Sequence, residues 1–219
     1  MRLRFSWRGL PALAGAVLGT LVASGAGATP VECCDASSDA TPASQLDITF
    51  DFSVAGTTLT VTVTNDDGGG FGFNVNEIYF NGSDDVTSLS FSSATHSVAG
   101  DVTAAWAPLD SNTMVDGFGI FDFGVSDGVG ETNPNVIGPS ESIAFIFTVN
   151  AGLADADFIV ANGQGYLVAA KFTNGPDDPE DPGNEDSAFG AATPEPGVLG
   201  LFALGLAGLL VAARRRVQA

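Results

Sequence analysis

The chain has 219 residues, room for one ordinary domain plus targeting segments. Three arginines open it, three close it, and residues 29–193 hold 25 acids against the single base Lys171, a formal charge of −24. A surface of that sign repels nucleic acid and anionic lipid, which excludes nucleic-acid binding. It leaves cations, cationic polymers and neutral glycans as partners, or plain solubility of an exported protein.

In chain order, Arg2, Arg4 and Arg8 form a basic start, and residues 9–24 are apolar apart from Thr20 and Ser24. Ala26-Gly27-Ala28 then gives the small-x-small pattern that a signal peptidase accepts, ahead of Thr29. Residues 1–28 are therefore expected to be a cleaved signal peptide, with Ala26 and Ala28 at the cut. Residues 29–44 follow as an acidic N-terminal segment containing the adjacent pair Cys33 and Cys34. Neighbouring Cα atoms lie about 3.8 Å apart across a trans peptide, whereas ordinary disulfides want roughly 4.4–6.8 Å. A vicinal bridge, free thiols and pairing between chains all stay open, and none of them staples distant parts of the fold. Pro30-Val31-Glu32 ahead of the pair is unlike the small, apolar run of a lipoprotein signal.

Residues 45–173 read as strands. Leu46, Ile48, Phe50, Phe52 and Val54 alternate with polar residues; after Ala55-Gly56, Leu59, Val61 and Val63 alternate with Thr58, Thr60, Thr62 and Thr64. That period of two predicts a hairpin with one apolar face. Further strands are expected at 75–81, 86–91, 98–106, 118–125, 143–149 and 166–173, with a single helical turn at 151–156. Sixteen phenylalanines and 28 glycines suit two antiparallel sheets around an aromatic core. The fold class expected is all-β, a β-sandwich of about eight or nine strands.

Several constellations bear on chemistry. Gly124-Val125-Ser126-Asp127-Gly128 fits the G-x-S-x-G pattern of serine hydrolases, but that motif needs a strand-turn-helix setting and a downstream histidine, and the one histidine, His96, lies upstream. A lone histidine builds no His-based metal site. Carboxylates are too abundant for any pair to stand out as a glycosidase couple. Calcium takes six to eight oxygens from clustered Asp, Asn and loop carbonyls. The clusters that qualify by composition are Asn65-Asp66-Asp67, Ser83-Asp84-Asp85 and Asp177-Asp178 with Glu180-Asp181. None has EF-hand spacing. The Ca²⁺ candidates carried forward are Asp66, Asp67, Asp84 and Asp85; no other cofactor is expected. Asn81-Gly82-Ser83 is a glycosylation sequon by pattern, and the threonine face of 58–64 offers a surface to glycans or ice, or simply the wet side of a sheet.

Residues 174–193, rich in Pro, Gly and acids, are expected to be an acidic linker. Pro194-Glu195-Pro196 follows, then residues 197–213 without a charge, then Arg214, Arg215 and Arg216. Seventeen residues at the helical rise span ~25 Å, enough for a thin bilayer. The arginines stay cytoplasmic, so the acidic domain faces outward. The prolines block upward extension of the helix and leave an accessible segment at the membrane face.

This tail, residues 194–219, resembles the PEP-CTERM sorting signal, a tail also known as the ice-binding protein C-terminal domain. The ice-binding label attaches to the tail alone. The resemblance implies that Pro194, Glu195, Pro196 and the three arginines serve sorting and processing by an exosortase-type enzyme, and it implies an association with exopolysaccharide and biofilm. The expectation is an exported, non-enzymatic protein. It would be held in the inner membrane with its domain outside before processing, then moved to the cell surface or extracellular matrix. The alternative is a polysaccharide-binding module assisted by Ca²⁺; an enzyme is the third reading.

Overall fold

A computed structural model describes residues 28–38, 42–66, 72–128, 135–175 and 187–194. In chain order, β1 (Thr29–Cys33) and the short β2 (Ala36–Ser37) lead through a 3-10 turn at Ala43–Gln45 into the hairpin of β3 (Ile48–Ala55) and β4 (Thr58–Asn65). β5 (Asn74–Phe80) and β6 (Leu89–His96) follow, then short β7 (Gly100–Asp101) and β8 (Ala107–Pro108). Next come β9 (Thr113–Val115), β10 (Gly119–Phe121), β11 (Phe123–Ser126) and β12 (Ser142–Val149). A 3-10 turn at Asp155–Phe158, β13 (Val168–Thr173) and β14 (Ala188–Ala192) complete the order.

These strands form two six-stranded antiparallel sheets, β1-β3-β4-β12-β6-β7 and β2-β14-β13-β5-β11-β8, and β9 pairs with β10 apart from both. The expected all-β class holds, and the two sheets are consistent with a sandwich. The described residues form fourteen strands rather than eight or nine, because short strands of two to five residues without alternation add to both sheets. The first sheet follows from alternation. Ile48, Phe50 and Phe52 of β3 and Leu59, Val61 and Val63 of β4 are fully buried, while the threonines between them face outward. In register, Phe50 meets Val63 and Phe52 meets Val61, so a one-residue slip would turn the apolar row of the slipped strand to water. Each buried phenylalanine contributes roughly 1.5–3 kcal/mol. Gly56 turns the hairpin with φ +66°, a conformation glycine takes without steric cost.

Phe80 of β5 ties the sheets together. Its ring lies 5.8 Å from Phe52 and 5.5 Å from Phe147, both edge-on and both from the first sheet, and 5.6 Å from Phe123 of its own sheet. Edge-to-face contacts of this kind add about 0.5–1.5 kcal/mol each beyond burial. The outer face of the second sheet is covered too: Tyr79, Ala169 and Ala191 pack under Val115, Phe118 and Phe121 of the β9–β10 region.

The structure corrects several boundaries. The acidic segment 29–44 contains β1, paired with β3 from Thr29↔Phe52 to Cys33↔Ile48. The linker 174–193 contains β14, paired residue for residue with β13. Residues 118–125 split into β10 and β11 at Asp122, whose Oδ2 accepts from Gly82 N–H at 3.1 Å. Of 98–106 only Gly100 and Asp101 are strand, and β6 starts at Leu89 rather than 86.

The meeting point of the chain ends as candidate functional site

Both ends of the described domain meet on one sheet edge. β14 lies between β13 and β2, with Gly190 opposite Ser37 and Ala191 opposite Ala36. The seam is laced by backbone bonds: Asp35 N–H to Ala191 O at 3.2 Å, Ser38 N–H to Phe189 O at 3.0 Å and Leu167 N–H to Ala192 O at 2.8 Å. It ends on a side-chain clamp, in which Asp35 Oδ1 accepts from Thr193 N–H at 2.9 Å and Oδ2 accepts from the Thr193 hydroxyl. Pro194, one residue on, is exposed. Cys33 and Cys34 form a vicinal disulfide across a cis peptide bond, with Cα atoms 3.0 Å apart, which settles the alternatives left open by the sequence. Cys33 is buried in the core, and Cys34 packs on Gly190, where an added Cβ would sit 2.6 Å from Sγ. An open cavity of about 290 Å³ borders the seam, lined among others by Glu32, Cys34, Asp35, Asp47 and Thr193.

Beside it stands an acidic group. Glu32, Asp47 and Asp66 are exposed and bring one carboxylate oxygen each within 4.8 Å of one another. The Thr49 hydroxyl lies 3.0 Å from Glu32 Oε2 and 2.7 Å from Asp66 Oδ2. Partial burial, and then the charges of Glu32 and Asp66, push the carboxyl of nearby Asp51 above the usual range. Of the Ca²⁺ candidates, then, Asp66 is joined by two residues the sequence did not single out, Glu32 and Asp47. Only the strand pairing, Glu32↔Thr49, places β1 beside that hairpin. Asp84 and Asp85 are exposed on the β5–β6 connection and belong to no such trio among the described residues. Asp84 instead lines a separate open cavity of about 570 Å³ with Asn81, Asp122 and Asn162. Asp67, Asp177, Asp178, Glu180 and Asp181 lie outside the described residues.

The remaining motifs are spent on structure. His96 is buried; Nδ1 accepts from Val98 N–H at 3.0 Å and Ala99 N–H at 3.2 Å, which places the proton on Nε2, 3.1 Å from Val136 O and 3.3 Å from Glu141 Oε2. Ser126 is half-buried on β11, and its Oγ accepts from Gly128 N–H at 3.2 Å. The sequon at Asn81 is sealed: its side chain is buried, and Nδ2 donates to Val160 O, Tyr166 O and Leu167 O at 3.1–3.2 Å. Tyr79 donates to Glu77, and burial together with that bond raises its pKa far above the usual phenol range. Lys171 sits 3.5 Å from Glu77 and over the ring of Phe189, 6.0 Å from its centroid, so the domain's one base also holds β14.

A folded acidic sandwich whose last strand opens directly onto a Pro-Glu-Pro segment, an apolar run and an arginine cluster is a domain carrying a C-terminal sorting tail. Residues 192–216 match the family model of the PEP-CTERM protein-sorting motif. The chain thus carries that motif, which implies an exported, cell-surface-directed protein processed by an exosortase-type enzyme. No curated protein and no solved structure matches the chain. Glu195, Pro196, the apolar run 197–213, Arg214, Arg215 and Arg216 lie outside the described residues, as does Ala26; Ala28 is exposed. Among the described residues no helix is long and apolar enough to cross a membrane.

Proposed function

We propose that the chain is a non-enzymatic surface or matrix protein whose sandwich is the cargo and whose tail is the address. A signal peptidase removes residues 1–28, and the run 197–213 holds the product in the inner membrane with the domain outside. Processing at Pro194-Glu195-Pro196 then passes the domain to the cell surface or the matrix, among exopolysaccharide. The observation that carries this reading is the join itself. The family match begins at residue 192, inside β14, so the sorting motif starts where the fold ends. A surface of formal charge −24 adds support, since it stays soluble beside anionic lipid and does not adhere to it. The non-enzymatic part rests on His96 and Ser126, whose polar atoms serve backbone bonds. Cell fractionation tests it. Wild-type protein should leave the inner membrane and co-purify with the polysaccharide matrix, and a chain with Pro194, Glu195 and Pro196 changed to alanine should stay behind. Release into the medium without matrix association would remove the exopolysaccharide link and keep the sorting claim.

A second reading, a polysaccharide-binding module assisted by Ca²⁺, is favoured by the convergence of Glu32, Asp47 and Asp66. Three carboxylates at that spacing are hard oxygen donors of the kind Ca²⁺ takes. Calorimetric titration with CaCl₂ decides it: heat that Asp66→Asn abolishes supports the reading, and a flat titration ends it.

A further inference from the structure

Thr29 opens β1 and stands opposite Phe52 at the start of the ladder on β3. Its hydroxyl donates to Asp155 Oδ2 at 3.5 Å. The other oxygen of that carboxylate, Oδ1, accepts from Val54 N–H at 2.6 Å. Val54 lies on β3 two residues beyond Phe52, so a side chain from the distant 3-10 turn finishes the β3 edge where the β1 ladder starts. The carboxylate is half-buried and committed to this corner. Between residues 29 and 193 the one base is Lys171, already engaged by Glu77, so no lysine or arginine of the domain is left to balance Asp155.

Cleavage after Ala28 would supply the missing charge. Water adds across the Ala28–Thr29 peptide bond: its oxygen joins the Ala28 carbonyl carbon to leave a carboxylate. The amide nitrogen keeps the pair from the broken C–N bond and takes up protons to become the ammonium of Thr29. Covalent geometry holds that nitrogen about 3–4 Å from Thr29's own hydroxyl oxygen, which bonds the Asp155 carboxylate at 3.5 Å, so rotation at the freed chain end brings the ammonium within its reach. The other titratable groups on the packed elements are Asp51, on β3 opposite Pro30, Glu32 further along β1, and Asp157 on the 3-10 turn, bonded to Ser83 and Ala154 N–H. All are acidic and all favour a cation there.

We infer that Asp155 is the receptor for the mature N-terminus: removal of the leader creates an α-ammonium that pairs with it and locks β1 onto the sandwich. This rests on the reading of a leader cut after Ala28.

Lys171 is the chain's sole lysine, so the matured protein has two primary amines, and acetylation followed by mass spectrometry reads both. An ordinary α-amine, with a pKa near 8, outpaces a lysine at neutral pH. Pairing should slow acetylation of the Thr29 amine about 5–10-fold relative to Asp155→Asn, the outcome of raising its pKa by up to about one unit. Asp155→Glu and Thr29→Ala should both stay slow, since each keeps the charge pair, and Lys171 should react at one rate throughout, which certifies the fold. Equal Thr29 rates in wild type and Asp155→Asn would overturn the inference and leave the leader reading standing. A mature N-terminus at another residue, visible in the same spectra, would remove both.

Discussion

Asp35 grips Thr193 with both carboxylate oxygens, one on the amide and one on the hydroxyl, and so joins the start of the domain to the last residue before Pro194. The tail's point of departure is therefore set by a residue near the other end of the chain. Asp35→Ala should free Thr193 without touching the core. The bonds are exposed, so a loss of only ~0.5–1.5 kcal/mol is expected. Hydrogen exchange at the Thr193 amide should rise about 2- to 13-fold, the equivalent of that loss, while that of β3 and β12 holds. Equal exchange in both chains would mean that the clamp is idle.

Gly190 makes room for the disulfide. Adding a Cβ would place it 2.6 Å from Cys34 Sγ and 3.1 Å from the Phe172 ring, closer than atoms pack. Gly190→Ala should cost about 1–3 kcal/mol through overpacking, read as a lower urea midpoint. An unchanged midpoint would show that the seam yields freely.

His96 is a structural pin. Its buried ring serves three backbone groups, and removal leaves a cavity and takes the acceptor from the amides of Val98 and Ala99. His96→Ala should lose ~2–4 kcal/mol in chemical denaturation. A catalytic base shows the opposite signature, a mild change in stability.

Asp51 gives the fold a pH dependence of known sign. Its carboxyl is raised in the folded state by partial burial and by Glu32 and Asp66, so the folded chain holds that proton more tightly than the unfolded one. The associated stability is fully present below the unfolded pKa and is lost as pH rises through the folded value. Asp51→Asn should therefore be more stable than wild type at pH 7, with the gap closing once the pH falls below the usual carboxylate range. Urea midpoints across that range check this, and a gap that widens in acid would reverse the assignment.

The parts of this fold that were legible in sequence are those with one wet face. In β3, β4 and β12 an apolar residue recurs at every second position because one side meets the core and the other meets water. β14 gives no such signal. Ala188 and Ala192 pack into the main core, Ala191 packs beneath the β9–β10 cover, and Gly190 yields to Cys34, so small residues on both faces erase the alternation. Its neighbours in sequence are acids and prolines, which read as linker. β1 was hidden in the same way by Pro30 and Glu32, tolerated because it is an edge strand. The tail could be read outright, since three chemically distinct elements in fixed order need no tertiary context. The acid trio was legible only in part: Asp47 meets Asp66 across the β3–β4 hairpin, whereas Glu32 joins them only through the pairing of β1 with β3.

The measurement that bears most directly on the central claim is the intact mass of the exported protein, beside that of a chain with Pro194, Glu195 and Pro196 replaced by alanine. The expected wild-type species starts at Thr29, keeps β14 and ends near Pro196, while the variant keeps residues 197–219. A wild-type mass that still includes those residues, unmoved by the substitution, would contradict processing at this motif and leave a membrane-held domain in place of a sorted one.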